Sequence, residues 1–193
     1  MLALILAGGS GSRLDLGEKP LVTLRGEPMI GHVIKALLSL EHEPVVVLSD
    51  RTPFTRNWCR ARGIEYLVAS GAGYIPDIAE AVSVLDEGGP FFTCVADLPC
   101  ITPRIIREVE DRYRESGKEA CSVWVPLSLG GRDSYAGEVD GVKACPAGLN
   151  ILSGDAIDRP QEELRLLVSD RRLAYNINTR EELAAVQSLL GEP

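Results

Sequence analysis

Leu2-Ala-Leu-Ile-Leu-Ala7 runs straight into Gly8-Gly-Ser-Gly-Ser-Arg13-Leu14, and Lys19-Pro20 follows. The apolar run is far shorter than the roughly 20 residues that cross a bilayer. It lacks a basic preceding segment and leads directly into glycines, so it reads as a first β-strand and not as a leader. In open α/β sheets ligands bind beyond the carboxyl ends of strands, which is where this glycine loop sits. Glycines let the backbone turn tightly and bring amide N–H groups close to an anion. Arg13 adds a planar fork of donors and Lys19 a point charge, the two cationic forms that neutralise phosphate groups.

Two common phosphate loops do not fit. A P-loop needs Lys followed by Ser or Thr, whereas Lys19 stands between Glu18 and Pro20. The dinucleotide fingerprint starts at Gly9-Ser-Gly11, but its third glycine position is Leu14, and Asp15-Leu-Gly-Glu-Lys-Pro20 opens no helix.

Outward from the loop, apolar runs and helical spacing alternate. Strands are predicted at 2–7, 44–49, 64–69, 91–96, 121–126, 147–152 and 173–177, and helices at 28–40, 53–62, 76–87, 103–116, 160–168 and 180–190. Thr52-Pro53 and Thr102-Pro103 read as an N-cap followed by proline in the first turn, and Thr179 with Glu182 as a capping box. This order predicts an α/β fold, a three-layer α/β/α sandwich with a mostly parallel sheet, in one domain over 1–193. The segment 126–147 breaks the rhythm; it reads as a long irregular stretch with a weak strand signal near 139–144, and such stretches tend to be functional.

Composition narrows the function classes. A formal net charge of −8 argues against nucleic acid or an anionic membrane as partner but leaves room for a phosphorylated small molecule. Five cysteines without a C-x-x-C pair read as thiols of a reducing compartment, hence a cytoplasmic protein without membrane insertion.

A second site candidate is Phe91-Phe-Thr-Cys-Val-Ala-Asp97-Leu-Pro99, an apolar strand that ends in a carboxylate facing the same crevice as the glycine loop. Asp97 either holds a hard cation such as Mg²⁺, which takes one or two carboxylates with phosphate oxygens, or caps the turn into the next helix. The two histidines, His32 in an apolar helix and His42 between glutamates, lie in no nucleophilic triad setting.

Leu-Ala-Gly-Gly-x-Gly-x-Arg-Leu with a downstream Lys-Pro resembles the signature loop of the superfamily of molybdenum-cofactor guanylyltransferases and sugar-phosphate nucleotidyltransferases. The resemblance implies a Rossmann-like nucleotidyltransferase fold and assigns phosphate contacts to Arg13 and Lys19. It implies a metal-holding role for Asp97, the third residue assigned to catalysis. Asn178, after the last predicted strand, is either a second metal contact or a turn former.

Ala69-Ser-Gly71-Ala-Gly73, Pro146-Ala-Gly148-Leu-Asn150 and Asn176-Ile-Asn-Thr179 extend the likeness to the archaeal-type GTP:adenosylcobinamide-phosphate guanylyltransferases. That resemblance implies nucleotide contacts from Leu6, Ala7, Gly8, Gly9, Ser10, Gly11, Arg13, Lys19, Ser49, Gly71, Gly73 and Asp97. It implies acceptor contacts from Pro146, Gly148 and Asn150, with 126–147 as one wall of the acceptor cleft. The implied partners are GTP and a phosphorylated small-molecule acceptor, the implied cofactor Mg²⁺. Other acceptors of the superfamily (molybdopterin, 2-phospholactate or a sugar phosphate) stay open, as does a nucleotide-binding regulator without catalysis.

Overall fold

Leu4 and Ile5 are neighbours in sequence and both fully buried, yet they belong to different hydrophobic clusters. Successive strand residues point to opposite faces, so a strand buried at every position must be covered on both sides. The same split recurs at Val46 and Val47 and at Phe91 and Phe92. The computed structural model describes residues 1–9, 17–130, 136–175, 177 and 179–189.

In chain order the elements are β1 (Leu2–Leu6), the short pair β2 (Thr23–Leu24) and β3 (Glu27–Pro28), α1 (Met29–Leu38), β4 (Glu43–Leu48), α2 (Pro53–Arg62) and β5 (Tyr66–Val68). There follow α3 (Tyr74–Leu85), β6 (Pro90–Val95), α4 (Pro103–Ser116), β7 (Ala120–Pro126), β8 (Gly137–Val139), β9 (Val142–Ser153), β10 (Glu163–Leu167) and α5 (Arg180–Leu189). The main sheet has the order β10-β7-β9-β6-β1-β4-β5. The β1–β4, β1–β6, β4–β5 and β7–β10 pairs are parallel, and β9 runs antiparallel between β6 and β7. Residues of α1, α2 and α4 (Ile30, Cys59, Ile105) join the larger core on one face, and Ile78, Ala81 and Val82 of α3 pack on the other. The result is the predicted three-layer α/β/α sandwich with a mostly parallel sheet. No helix among the described residues is long and apolar enough to cross a membrane. The five cysteines are free and buried.

Three predicted elements need correction. The helix expected over 160–168 is the strand β10, whose Leu164 and Leu166 face the larger core while Glu163 and Arg165 point away. That is a period of two, and β10 pairs in parallel with β7, whose edge would otherwise be left unpaired. The strand expected over 173–177 does not form among its described residues: a 3₁₀ turn spans Arg171–Leu173, capped by the Asp170 carboxylate accepting from Arg172 N, and Ala174, Tyr175 and Ile177 lie in no strand.

The stretch 126–147 is less irregular than expected. Its second half is a β8–β9 hairpin, closed by Asp140 and Gly141 at φ 51° and 76°. Positive φ at both central residues is the type I′ condition, and Asp-Gly is a favoured pair for it. Ala144 of β9 pairs with Pro126 of β7 on one edge and Gly137 of β8 on the other. β8 therefore occupies the edge that β6 uses further along β9, past the carboxyl end of β6.

Candidate functional site

The carboxyl ends of β1, β4 and β6 are tied together by the backbone. Ala7 N donates to Val47 O at 2.8 Å, and Ala96 N to Leu6 O at 3.1 Å. Leu6 and Ala7 thus act as fixed floor, and the chain turns away at Gly8 and Gly9. Ser49, just past β4, donates from Oγ to Gly8 O at 2.7 Å. A Cβ on Gly8 would lie 3.2 Å from the Ser49 Cβ, and so would one on Gly71. Gly71 also sits at φ +71°, so both sterics and backbone conformation select glycine there. Gly8, Ser49 and Gly71, expected at the nucleotide from three distant segments, form one contact.

Ser49 is itself fixed. Its N–H donates to Thr52 Oγ1 at 3.3 Å, Thr52 Oγ1 donates to Ser49 O at 3.1 Å, and Arg51 N donates to Ser49 Oγ at 3.2 Å. Thr52 therefore closes this turn and makes no side-chain cap on α2, contrary to the sequence expectation. The cap comes from Glu18, whose carboxylate accepts from Phe54 N at 2.7 Å, Thr55 N at 2.6 Å and Thr55 Oγ1 at 2.5 Å. An anion at a helix N-terminus satisfies orphan N–H groups and complements the dipole. Glu18 so anchors the far end of the glycine loop beside Lys19. No local sequence signal exposes this cap, because donor and acceptor lie 36 and 37 residues apart.

Lys19 Nζ makes a salt bridge to Asp97 Oδ2, both side chains being largely buried (15% and 17% exposed). The two groups assigned to phosphate and metal thus meet beyond the carboxyl ends of β1 and β6. Asp97 is not the helix cap: Thr102 Oγ1 accepts from Ile105 N at the start of α4. Asp97 O accepts from Ile177 N at 3.3 Å, which brings the segment before α5 to the same strand end. The capping box forms as predicted, Glu182 N donating to Thr179 Oγ1 at 3.2 Å and Thr179 N to Glu182 Oε2 at 2.9 Å. Ser10, Gly11, Arg13 and Asn178 lie outside the described residues.

Gly73 stands at φ +139° as the N-cap of α3, and its carbonyl accepts from Asp77 N at 2.9 Å. Asp77 Oδ1 accepts from Ala72 N at 3.0 Å, and Glu80 Oε2 from Ser70 N at 2.9 Å, so α3 holds the whole 70–73 loop. The next residue, Tyr74, was not anticipated. Its hydroxyl lies 3.1 Å from Thr93 Oγ1, and Asn150 Nδ2 donates to both, at 3.0 and 3.2 Å. Desolvation of its hydroxyl end raises the Tyr74 pKa. This network joins the 70–73 loop to β6 and β9. The signal for it was Thr93, a polar residue inside the apolar run Phe91–Val95, fully buried here.

Pro146, Gly148 and Asn150 share one face of β9, because Cys145, Ala147, Leu149 and Ile151 between and beside them enter the larger core. That face is the one α3 covers further along, over β1 and β4. Among the described residues no group of three or more His, Cys, Asp or Glu side chains is arranged to hold a metal ion. Asp97 suits a cation that takes one protein carboxylate and completes its shell with phosphate oxygens and water, the habit of Mg²⁺.

Comparison with known proteins agrees with this geometry. Residues 3–191 match the family described as MobA-like NTP transferase domain. The chain is 30% identical to an adenosylcobinamide-phosphate guanylyltransferase of Methanocaldococcus jannaschii, over 98% of this chain and 97% of the relative. It is also 30% identical to a molybdenum cofactor guanylyltransferase of Pseudomonas putida, over 93% and 94% of the two chains. A solved structure of molybdopterin-guanine dinucleotide biosynthesis protein A from Archaeoglobus fulgidus superposes with a TM-score of 0.71 at 19% identity, covering 99% of each chain. With residues 3–191 matched and Lys19 and Asp97 paired beyond the ends of β1 and β6, the chain belongs to the MobA-like NTP transferase family of nucleotidyltransferases.

Proposed function

We propose that this chain is a guanylyltransferase that moves GMP from GTP to adenosylcobinamide phosphate, giving adenosylcobinamide-GDP and pyrophosphate. The observation that carries the reading is the Lys19–Asp97 pair beside the Gly8–Ser49–Gly71 contact, in a chain that matches the M. jannaschii guanylyltransferase over nearly its whole length. A phosphate oxygen of the acceptor attacks the α-phosphorus of GTP. The new P–O bond forms as the bond from the α-phosphorus to the bridging oxygen breaks, and pyrophosphate leaves with that electron pair. The acceptor phosphate is already ionised near neutrality, so no general base is needed. Accordingly His32 is engaged with Leu24 O at 3.0 Å, and His42 is buried against Phe92 and Glu110.

Catalysis here is positioning and charge neutralisation. Lys19 balances triphosphate charge, with Arg13 in the same role; the 70–73 loop and Ser49 shape the nucleoside end. Asp97 would hold Mg²⁺, which supplies Lewis-acid stabilisation of the phosphates when bound. The P. putida relative gives a second reading of the acceptor as molybdopterin. Pyrophosphate release from GTP with each acceptor separates the two.

A further inference from the structure

Thr93 and Asn150 stand opposite each other in the β6–β9 register, one row closer to the carboxyl end of β6 than Phe91 and Leu152. Strand residues two apart share a face, so both rows lie on the side that α3 covers. The rows differ in chemistry. Phe91 and Leu152 pack with Ile78, Ala81 and Val82 of α3, whereas Thr93 places a fully buried hydroxyl in the next row. A buried polar group costs free energy unless it is hydrogen-bonded, so this row needs partners.

Tyr74, the first residue of α3, supplies them. Its hydroxyl meets Thr93 Oγ1 at 3.1 Å, and Asn150 Nδ2 donates to both oxygens, at 3.0 and 3.2 Å. The three side chains close a triangle across two strands and the start of a helix. Tyr74 as a whole is 38% exposed, so the hydroxyl, more than ring packing, ties it to the sheet. The tether fixes a loop as well as a residue. Gly73, at φ +139°, directly precedes Tyr74, and the chain before it is pinned at two further points. Ala69 N donates to Leu48 O at 2.9 Å, and Gly71 packs on Ser49. The 70–73 loop is thus held at its start and middle by the end of β4, and at its far end by β6 and β9.

Asn150 was expected at the acceptor, yet its amide nitrogen is engaged in this tether. β9 runs antiparallel to β6, so Gly148 and Pro146, not Asn150, lie nearer the strand end that leads to Asp97. From this geometry we infer that Tyr74, Thr93 and Asn150 are positioning residues for the nucleoside of GTP, holding the 70–73 loop in place, and that Asn150 acts through Tyr74 on the nucleotide and not on the acceptor. The inference rests on the proposed reading in which this loop shapes the nucleoside end.

The test separates nucleoside, phosphates and acceptor. Affinities for GTP, guanosine and inorganic tripolyphosphate are titrated for the wild type, Tyr74→Phe, Asn150→Ala and the double variant. The KM for adenosylcobinamide phosphate is measured at saturating GTP. Tyr74→Phe removes one oxygen and keeps the ring. It should weaken GTP and guanosine alike by about three- to tenfold, the usual worth of a hydrogen bond. Tripolyphosphate affinity should stay unchanged, because Lys19 is untouched. Asn150→Ala should show the same pattern with the acceptor KM unchanged. The double variant should lose no more than the larger single loss, since both substitutions break one tether. Equal losses for all three ligands, or unchanged guanosine affinity in Tyr74→Phe, overturn the inference. So does a raised acceptor KM with unchanged guanosine affinity in Asn150→Ala, which returns that residue to the acceptor. If Asn150→Ala fails to fold, Tyr74→Phe decides alone. A wild-type chain that binds GTP and guanosine but transfers nothing to the corrinoid overturns the proposed function, while the binding data still decide the tether.

Discussion

Lys19 and Asp97 lie 78 residues apart in sequence and meet as a largely buried ion pair between the ends of β1 and β6. On the proposed function, a nucleoside triphosphate at this site would bring charges that both partners could exchange for each other: phosphate oxygens for Lys19, a phosphate-bound cation for Asp97. Removing either partner therefore does different things. Lys19→Ala should weaken GTP binding by about 10- to 100-fold, the worth of a charge-assisted hydrogen bond, while guanosine binding changes little. Calorimetric titration of both ligands decides it; equal losses for both would remove Lys19 from phosphate binding.

Asp97→Asn keeps size and hydrogen bonding but loses the charge a cation needs. Turnover should fall strongly at saturating GTP and Mg²⁺, with GTP binding largely kept, because Lys19 is released to the phosphates. Near-normal turnover would leave Asp97 with a structural role only.

Gly71→Ala puts a Cβ 3.2 Å from the Ser49 Cβ at a φ of +71°. Overpacking of this kind costs about 1–3 kcal/mol, and the backbone conformation adds to it. Both stability in urea and GTP affinity should drop, since the loop can relieve the clash only by moving off Ser49. Unchanged GTP affinity in a destabilised variant would make the contact architectural.

Glu18→Ala leaves the first N–H groups of α2 without their carboxylate. A lost cap costs about 1 kcal/mol, seen as a lower midpoint of chemical unfolding. Activity should fall more than stability does, because Glu18 also fixes the backbone next to Lys19. Full activity in a destabilised Glu18→Ala protein would separate the cap from the site.

His42 is 5% exposed, packs edge-on to Phe92 with ring centroids 5.0 Å apart, and neither ring nitrogen has a hydrogen-bond partner among the described residues. Burial lowers its pKa from 6.5, outweighing the opposing pull of Glu110 3.7 Å away. The unfolded chain then binds the proton more readily than the folded one. The His42 contribution is complete above about pH 6.5 and is lost as pH falls toward the depressed folded value. The stability difference between wild type and His42→Leu should therefore shift against the wild type between pH 7.5 and pH 5.5. A pH-independent difference would show that the imidazole is not what titrates.

Much of this was legible in the sequence where the determinants are local. An apolar run ending in glycines fixes β1; Thr102-Pro103 and Thr179-x-x-Glu182 set two helix starts. The segment 160–168 was misread because Leu164, Leu167 and Val168 also stand at helical spacing, and only pairing with β7 decides for the strand. Asp140-Gly141 was a readable turn signal in the stretch taken as irregular. The contacts that build the site were not readable at all. Glu18 on the α2 N-terminus and Ser49 between Gly8 and Gly71 both depend on how distant segments are brought together, which no single segment encodes.

The central claim is the transfer of a guanylyl group, and its most direct measurement is pyrophosphate release from GTP with adenosylcobinamide phosphate, molybdopterin and a sugar phosphate supplied in turn. The account predicts stoichiometric pyrophosphate and a GDP-linked corrinoid with the first acceptor and far slower release with the others. GTP binding without pyrophosphate release, or release with molybdopterin or the sugar phosphate while the corrinoid stays unmodified, would contradict it.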